Sequence, residues 1–162
     1  MIPDKIILNE VGLREGFQNL RGAYNTELKL SVLDGLLQAG VRHIQLGSFV
    51  HPEILPQMAD AEVLFKSAPQ LDNVIYSAFI LNEQGLDRAI DCSVKKVETS
   101  MSMNESYGFK NTRMKSDRAY EEMTRLVRLA HRHDISIRVG LQCVWGVANE
   151  AALGPDTVLS YI

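Results

Sequence analysis

The chain predicts an α/β protein of about five βα units, on three observations. Short apolar runs alternate with segments of helical periodicity, the alternation repeats at roughly 30 residues as βαβ architecture requires, and the segments after the predicted strands are polar. A five-stranded doubly wound sheet and an unfinished eight-stranded barrel both satisfy this rhythm.

The first strand is expected at Lys5 to Val11, KIILNEV, and the first helix at Glu27 to Ala39, where Leu30, Leu33, Leu36 and Leu37 share one face. Thr26 is the expected N-cap and Gly40 the stop. Strand two, His43 to Leu46, runs into GSFVHPEILPQ, whose two prolines keep it irregular until a helix near Gln57 to Lys66. Val74 to Phe79 and Lys96 to Met101 form strands three and four, with a helix at Glu83 to Asp91 between them. After a polar loop, MNESYGFKNTRMK, Ser116 opens a helix to His133. Strand five is Ser136 to Gln142, and Gly154, Pro155 and Asp156 start a last helix.

With 46% hydrophobic residues in 162, the chain is long enough to bury a core as one domain. A formal charge of −3, with Lys and Arg thinly spread, gives no footprint for nucleic acid. No apolar run approaches the roughly 20 residues of a membrane span, so no membrane partner is expected. The start carries no basic region followed by an apolar one, and Cys92 and Cys143 make no CxxC pair, which points to a reducing, cytoplasmic setting.

The first βα loop, GLREGFQN, contains neither GxGxxG nor GxxxxGK[ST] and is no phosphate cradle of either type. Arg14 and Glu15 stand where a barrel places its reacting groups. A carboxylate there can hold a divalent cation, and a guanidinium can fork onto a substrate carbonyl or carboxylate. Equally, the two can form a plain surface ion pair of little worth. Glu10 on strand one is expected to orient Arg14 from inside, since a buried carboxylate needs a partner. His51 reads as a solvated loop side chain, Cys92 as packing, and Trp145 as cover for the mouth.

GLREGFQN resembles the G-P-R-D-G-L-Q-N segment of the 3-hydroxy-3-methylglutaryl-CoA lyases, within the metal-dependent lyases and synthases on TIM barrels. SFVHPEILPQMAD is similar to that family's S-F-V-S-P-K-x-V-P-Q-M-x-D after strand two, with weaker echoes at Asn82, Glu105 and Asn111. The resemblance runs in register over four units and implies a partial (β/α)₈ TIM barrel. Residues 1–162 would then be the N-terminal portion of one lyase domain, truncated before the last helix and strands, because a barrel takes about 250 residues.

The resemblance implies that Arg14 is catalytic, stabilising an enolate-like oxygen, and that Glu15 is a metal ligand. It places Gln18, Asn19, Ser48 and Gln45 at the substrate mouth, with Glu10, Asn82, Glu105 and Asn111 behind them. Two positions depart from the pattern. Glu15 stands for the family's aspartate, a methylene longer, so the cation or backbone would shift by about an ångström, roughly twice what productive geometry tolerates. Gln45 replaces an acid, keeping hydrogen bonding and losing the charge that would orient Arg14. His131 and His133 mimic the family's His-x-His metal pair, but they close a helix on the opposite face of the barrel, where the macrodipole accounts for them.

The implied activity is metal-assisted retro-aldol cleavage of a 3-hydroxy-3-methylglutaryl-CoA-like thioester to acetyl-CoA and a keto acid, with Mg²⁺ or Mn²⁺ as cofactor. The partner is an acyl-CoA substrate, with a homo-oligomer as a further expectation. The chain taken alone is expected to be inactive, because one carboxylate does not hold such a cation. The alternatives are an aldolase or carboxyltransferase-type barrel acting on a 2-oxo acid, and a non-catalytic half-barrel module.

Overall fold

A computed structural model describes residues 3–148 and 153–161, without the side chain of Asn111. Five strands, β1 (Asn9–Glu10), β2 (His43–Ser48), β3 (Ile75–Phe79), β4 (Lys96–Ser102) and β5 (Ser136–Gln142), form one sheet in the order β1-β2-β3-β4-β5, every pair parallel. A doubly wound sheet reverses direction at a switch point. Here each strand lies beside its successor, which is the order of a barrel wall, and the five make a half-barrel.

The helices are α1 (Thr26–Gln38), α2 (Ala61–Ser67), α3 (Glu83–Asp91), α4 (Glu105–Thr112), α5 (Ser116–Arg132) and α6 (Pro155–Leu159). Among the described residues, none is long and apolar enough to cross a membrane. Right-handed crossovers between neighbouring strands lay the connecting helices on one face of the sheet. That face is the core: Ile44, Leu46, Ala78 and Val97 from the strands are buried against Leu33, Leu64, Leu86 and Leu126. The alternate strand positions, Gln45, Ser77 and Glu98, are buried too, and polar, so the inner face of the arc is lined differently from the outer.

Several boundaries differ from the sequence expectation, each for a local reason. β1 has a ladder of two residues, Asn9 opposite His43 and Glu10 opposite Ile44, and Ile6, Ile7 and Leu8 before it are exposed. β2 runs on to Ser48 through a register shift between Gln45 and Gly47. Asn25, not Thr26, caps α1, its Oδ1 accepting from Leu28 N at 3.0 Å; the Thr26 hydroxyl instead donates to Asp60 at 2.8 Å. Gly40 ends that helix as expected, at φ 87°. The expected helix near Gln57 is a single 3₁₀ turn, Pro56–Met58, followed by α2.

The polar segment after β4, expected as a loop, contains α4. Asn104 Oδ1 accepts from Tyr107 N at 2.8 Å, and the helix ends on Arg113 at φ 60°. Gly108 in its middle faces β4, where a Cβ would stand in ordinary contact with that of Ser102, at 3.4 Å.

A buried lysine fastens the loop after β2. Lys29 on α1 is 1% exposed; its Nζ donates to Gln57 O at 2.7 Å and pairs with Asp60, the same carboxylate that accepts from the Thr26 hydroxyl. The Gln57 side chain in turn donates to Leu20 O at 3.2 Å, tying this loop to the one after β1. On the far side of the loop, Arg88 of α3 donates to Val50 O at 3.0 Å and pairs with Glu62 of α2, holding the Glu62 carboxyl below the usual carboxylate range.

Two outcomes follow. Asp60→Ala strands a buried ammonium and should destabilise the fold by about 3–5 kcal/mol, whereas Lys29→Met, leaving a carboxylate that still reaches solvent (23% exposed) and keeps the Thr26 hydroxyl, should cost less; urea unfolding that ranks them the other way contradicts the buried pair. The depressed Glu62 carboxyl contributes stability that is present above its ordinary pKa of about 4.3 and lost as pH falls through the lower, folded value. Acid unfolding of Glu62→Gln should therefore show a shallower loss in that range than the wild-type chain.

Candidate active site

After β1 the backbone makes one wide turn of π-helical type, Gly12–Gly16, with Arg14 N and Glu15 N both donating to Val11 O, at 3.1 and 2.7 Å. Such turns reorient side chains. Leu13 is fully buried and pins the turn to the core. Glu10 does not reach Arg14 as expected. Its carboxylate folds forward to accept from Gly12 N at 2.5 Å, an N–H at the start of the turn that has no helical carbonyl to donate to.

Arg14 is held from three strands. The turn after β1 carries it, its Nε donates to Gln45 Oε1 of β2 at 2.5 Å, and its guanidinium lies 4.9 Å from the ring centre of Phe79 at the end of β3. One terminal nitrogen, Nη1, pairs with Glu15. Its side chain is 16% exposed, against 47% for Glu15. Burial pushes the Arg14 pKa down and the negative charge of Glu98 opposes that; a guanidinium does not lose its proton in proteins, so the group stays charged. Among the described residues Nη2 has no acceptor.

Gln18 and Asn19 complete the cluster around Glu15. Gln18 Nε2 donates to Oε2 at 3.0 Å, and Asn19 Nδ2 donates to Oε1 at 3.3 Å and to the Glu15 carbonyl at 2.7 Å. The structure thus gathers Arg14, Glu15, Gln18, Asn19 and Gln45. Ser48, on the same strand as Gln45, is fully buried with an unpartnered hydroxyl and does not join them.

The remaining expected residues lie apart. Asn82 caps α3, accepting from Gly85 N at 2.9 Å, and Glu105 is an exposed first-turn residue of α4; no hydrogen bond or ion pair links either to Arg14 or Glu15. The Asn111 side chain lies outside the described residues. His51 is exposed, and His131 and His133 close α5 in solvent. Cys92 packs against the core, where burial pushes its thiol pKa up. Trp145, expected to cover the mouth, is 90% exposed and covers nothing among the described residues.

Among the described residues no three His, Cys, Asp or Glu side chains gather as a metal centre. Glu15 is a single hard-oxygen donor already engaged by three neighbours, so the donor set present does not fit a divalent cation without further ligands.

The chain as a whole has counterparts among known proteins. The HMGL-like family profile matches residues 5–153. The chain belongs to the HMGL-like family. Hydroxymethylglutaryl-CoA lyase of Pseudomonas mevalonii is 31% identical over 149 residues, 92% of this chain and 50% of that protein. The crystal structure of hydroxymethylglutaryl-CoA lyase from Pseudomonas aeruginosa superposes with a TM-score of 0.89 at 30% identity, covering 96% of this chain and 52% of that one. The Bacillus subtilis HMG-CoA lyase gives 0.91 at 27%, covering 98% and 53%. The chain therefore spans about half the length of the relatives it matches.

Sequence reasoning missed the inner polar face. Glu98, buried on β4, accepts from Ser77 and Asn9 and pairs with Arg138 on β5. The signal was present in KVETSMS: Lys96, Glu98, Ser100 and Ser102 alternate with Val97, Thr99 and Met101, which marks a strand with a polar inner side.

Gln45→Leu leaves the buried Arg14 Nε–H without its acceptor and should lower stability by about 1–3 kcal/mol, with Gln45→Glu retaining it. Equal denaturation midpoints for Gln45→Leu and the wild-type chain would mean that this bond is not made.

Proposed function

We propose that the protein to which this chain belongs is a carbon–carbon lyase that splits 3-hydroxy-3-methylglutaryl-CoA, or a thioester like it, into acetyl-CoA and a keto acid. One observation carries the reading: in a chain of this family, the charged loop after the first strand folds back onto Gln45 of the second, with Arg14 over Phe79 at the C-terminal end of the third, the end of a barrel wall where barrel enzymes react.

In the cleavage the 3-hydroxyl gives up its proton and its oxygen becomes the carbonyl of the keto acid. The electron pair of the broken C2–C3 bond moves onto the thioester as an enolate, which takes a proton at C2 to become acetyl-CoA. Arg14 is the group suited to the enolate oxygen. Gln45 and Glu15 occupy Nε and Nη1, leaving the Nη2 donors for an oxygen that gains charge only as the bond breaks. A fixed cation aimed at developing charge lowers the barrier more than it tightens ground-state binding. Phe79 and Gln45 keep it from reorienting.

A divalent cation, Mg²⁺ or Mn²⁺, would supply Lewis acidity at the substrate oxygens. Glu15 would be one of its ligands, and the others would have to come from outside this chain. Gln18 and Asn19, bonded to the Glu15 carboxylate, would keep that carboxylate oriented at the mouth.

The test is acetyl-CoA release from 3-hydroxy-3-methylglutaryl-CoA by the full-length protein with Mg²⁺. Arg14→Lys, which keeps the charge and loses the planar fork, should lower kcat by about 10²–10³. No release from this thioester, with cleavage of a CoA-free 2-oxo acid instead, overturns the thioester lyase reading.

A further inference from the structure

Among the described residues Glu98 is the only buried acid, its side chain 4% exposed in the wall of the arc. An isolated carboxylate in that position is untenable, and its neighbours show how it is kept. Oε1 accepts from Ser77 Oγ of β3 at 2.7 Å and from Asn9 Nδ2 of β1 at 3.2 Å. Oε2 pairs with Arg138 of β5, its register partner. Ser77 is in turn the register partner of Gln45 on β2, the residue that accepts from Arg14. Asn9, Gln45, Ser77, Glu98 and Arg138 thus form a polar row to which every strand contributes one side chain.

Arg14 sits just above this row. The ring it lies over, Phe79, is the register partner of Glu98 on the neighbouring strand. Its two direct acceptors leave the charge poorly balanced from within: Gln45 is neutral, and Glu15 is exposed and, on the lyase reading, would be drawn to a cation. A Glu15 carboxylate shared with a cation would neutralise the guanidinium less. The negative charge of Glu98 also acts on Arg14 across the gap.

We propose that Glu98 is a positioning residue for the reaction, the interior counter-charge that holds Arg14 through the Gln45–Ser77 part of the row rather than by contact. Ser77 and Asn9 fix the carboxylate, and Arg138 closes its second oxygen. The inference rests on the lyase reading only for the part that concerns rate.

The experiment uses the full-length protein and two readouts. Phenylglyoxal labelling of Arg14, followed by peptide mass spectrometry, needs no substrate. In Glu98→Gln, which keeps the shape and removes the charge, Arg14 should label several-fold faster, with Glu98→Asp returning toward the wild-type rate. In turnover, Glu98→Gln should lower kcat about tenfold with KM within about twofold, the split expected when an interaction made in the transition state is lost. Should Glu98→Gln fail to fold, Ser77→Ala keeps the charge but frees Oε1, and faster Arg14 labelling is again expected. Unchanged labelling in the folded variant overturns the proposal. A wild-type protein that releases no acetyl-CoA overturns the lyase reading alone, and labelling still decides the role of Glu98.

Discussion

A positive charge that is mostly out of water organises this half-barrel. The guanidinium of Arg14 cannot shed its proton, so the fold has to supply oxygens and a ring face in fixed places around it. Those places belong to three different strands. The site therefore exists only once the parallel sheet has closed in the right register, and the contacts that set the register also set the chemistry. The helices contribute indirectly: α1 and α3 fasten the loop after β2 through Lys29 and Arg88, and Gln57 ties that loop to the one bearing Arg14.

How much of this could be read from the residues depends on where each signal lies. Helices with one apolar face, such as α3 and α5, were legible because burial writes itself into periodicity. The short motif around Arg14 was legible because its residue types are unusual for a surface loop. β1 was overestimated: Ile6, Ile7 and Leu8 satisfy the pattern of a strand, yet they lie exposed and only the two polar residues after them, Asn9 and Glu10, pair. α4 was missed because its face carries few apolar residues and a glycine lies at its centre, a pattern that propensity alone reads as a loop.

Ligand-like residues were harder still. Glu10 was read as a partner for Arg14 from its position on the strand, but a side chain near a strand end can turn toward any unsatisfied backbone donor, and here the wide turn offers one. Glu98 escaped notice for the opposite reason, since its function depends on residues 21 and 89 positions away in the chain. Pairings of that range carry no local pattern. They emerge only when the strands are laid side by side.

Gly12 illustrates how tightly such a rim is specified. A Cβ built on it would stand 2.7 Å from the carboxylate oxygen of Glu10. That oxygen is the mobile tip of a side chain, so a larger residue at 12 is accommodated by swinging the acid away, and what is given up is the acceptor of the Gly12 N–H. The glycine thus keeps a seat open for the carboxylate two residues before it, and a change at 12 is felt first at 10.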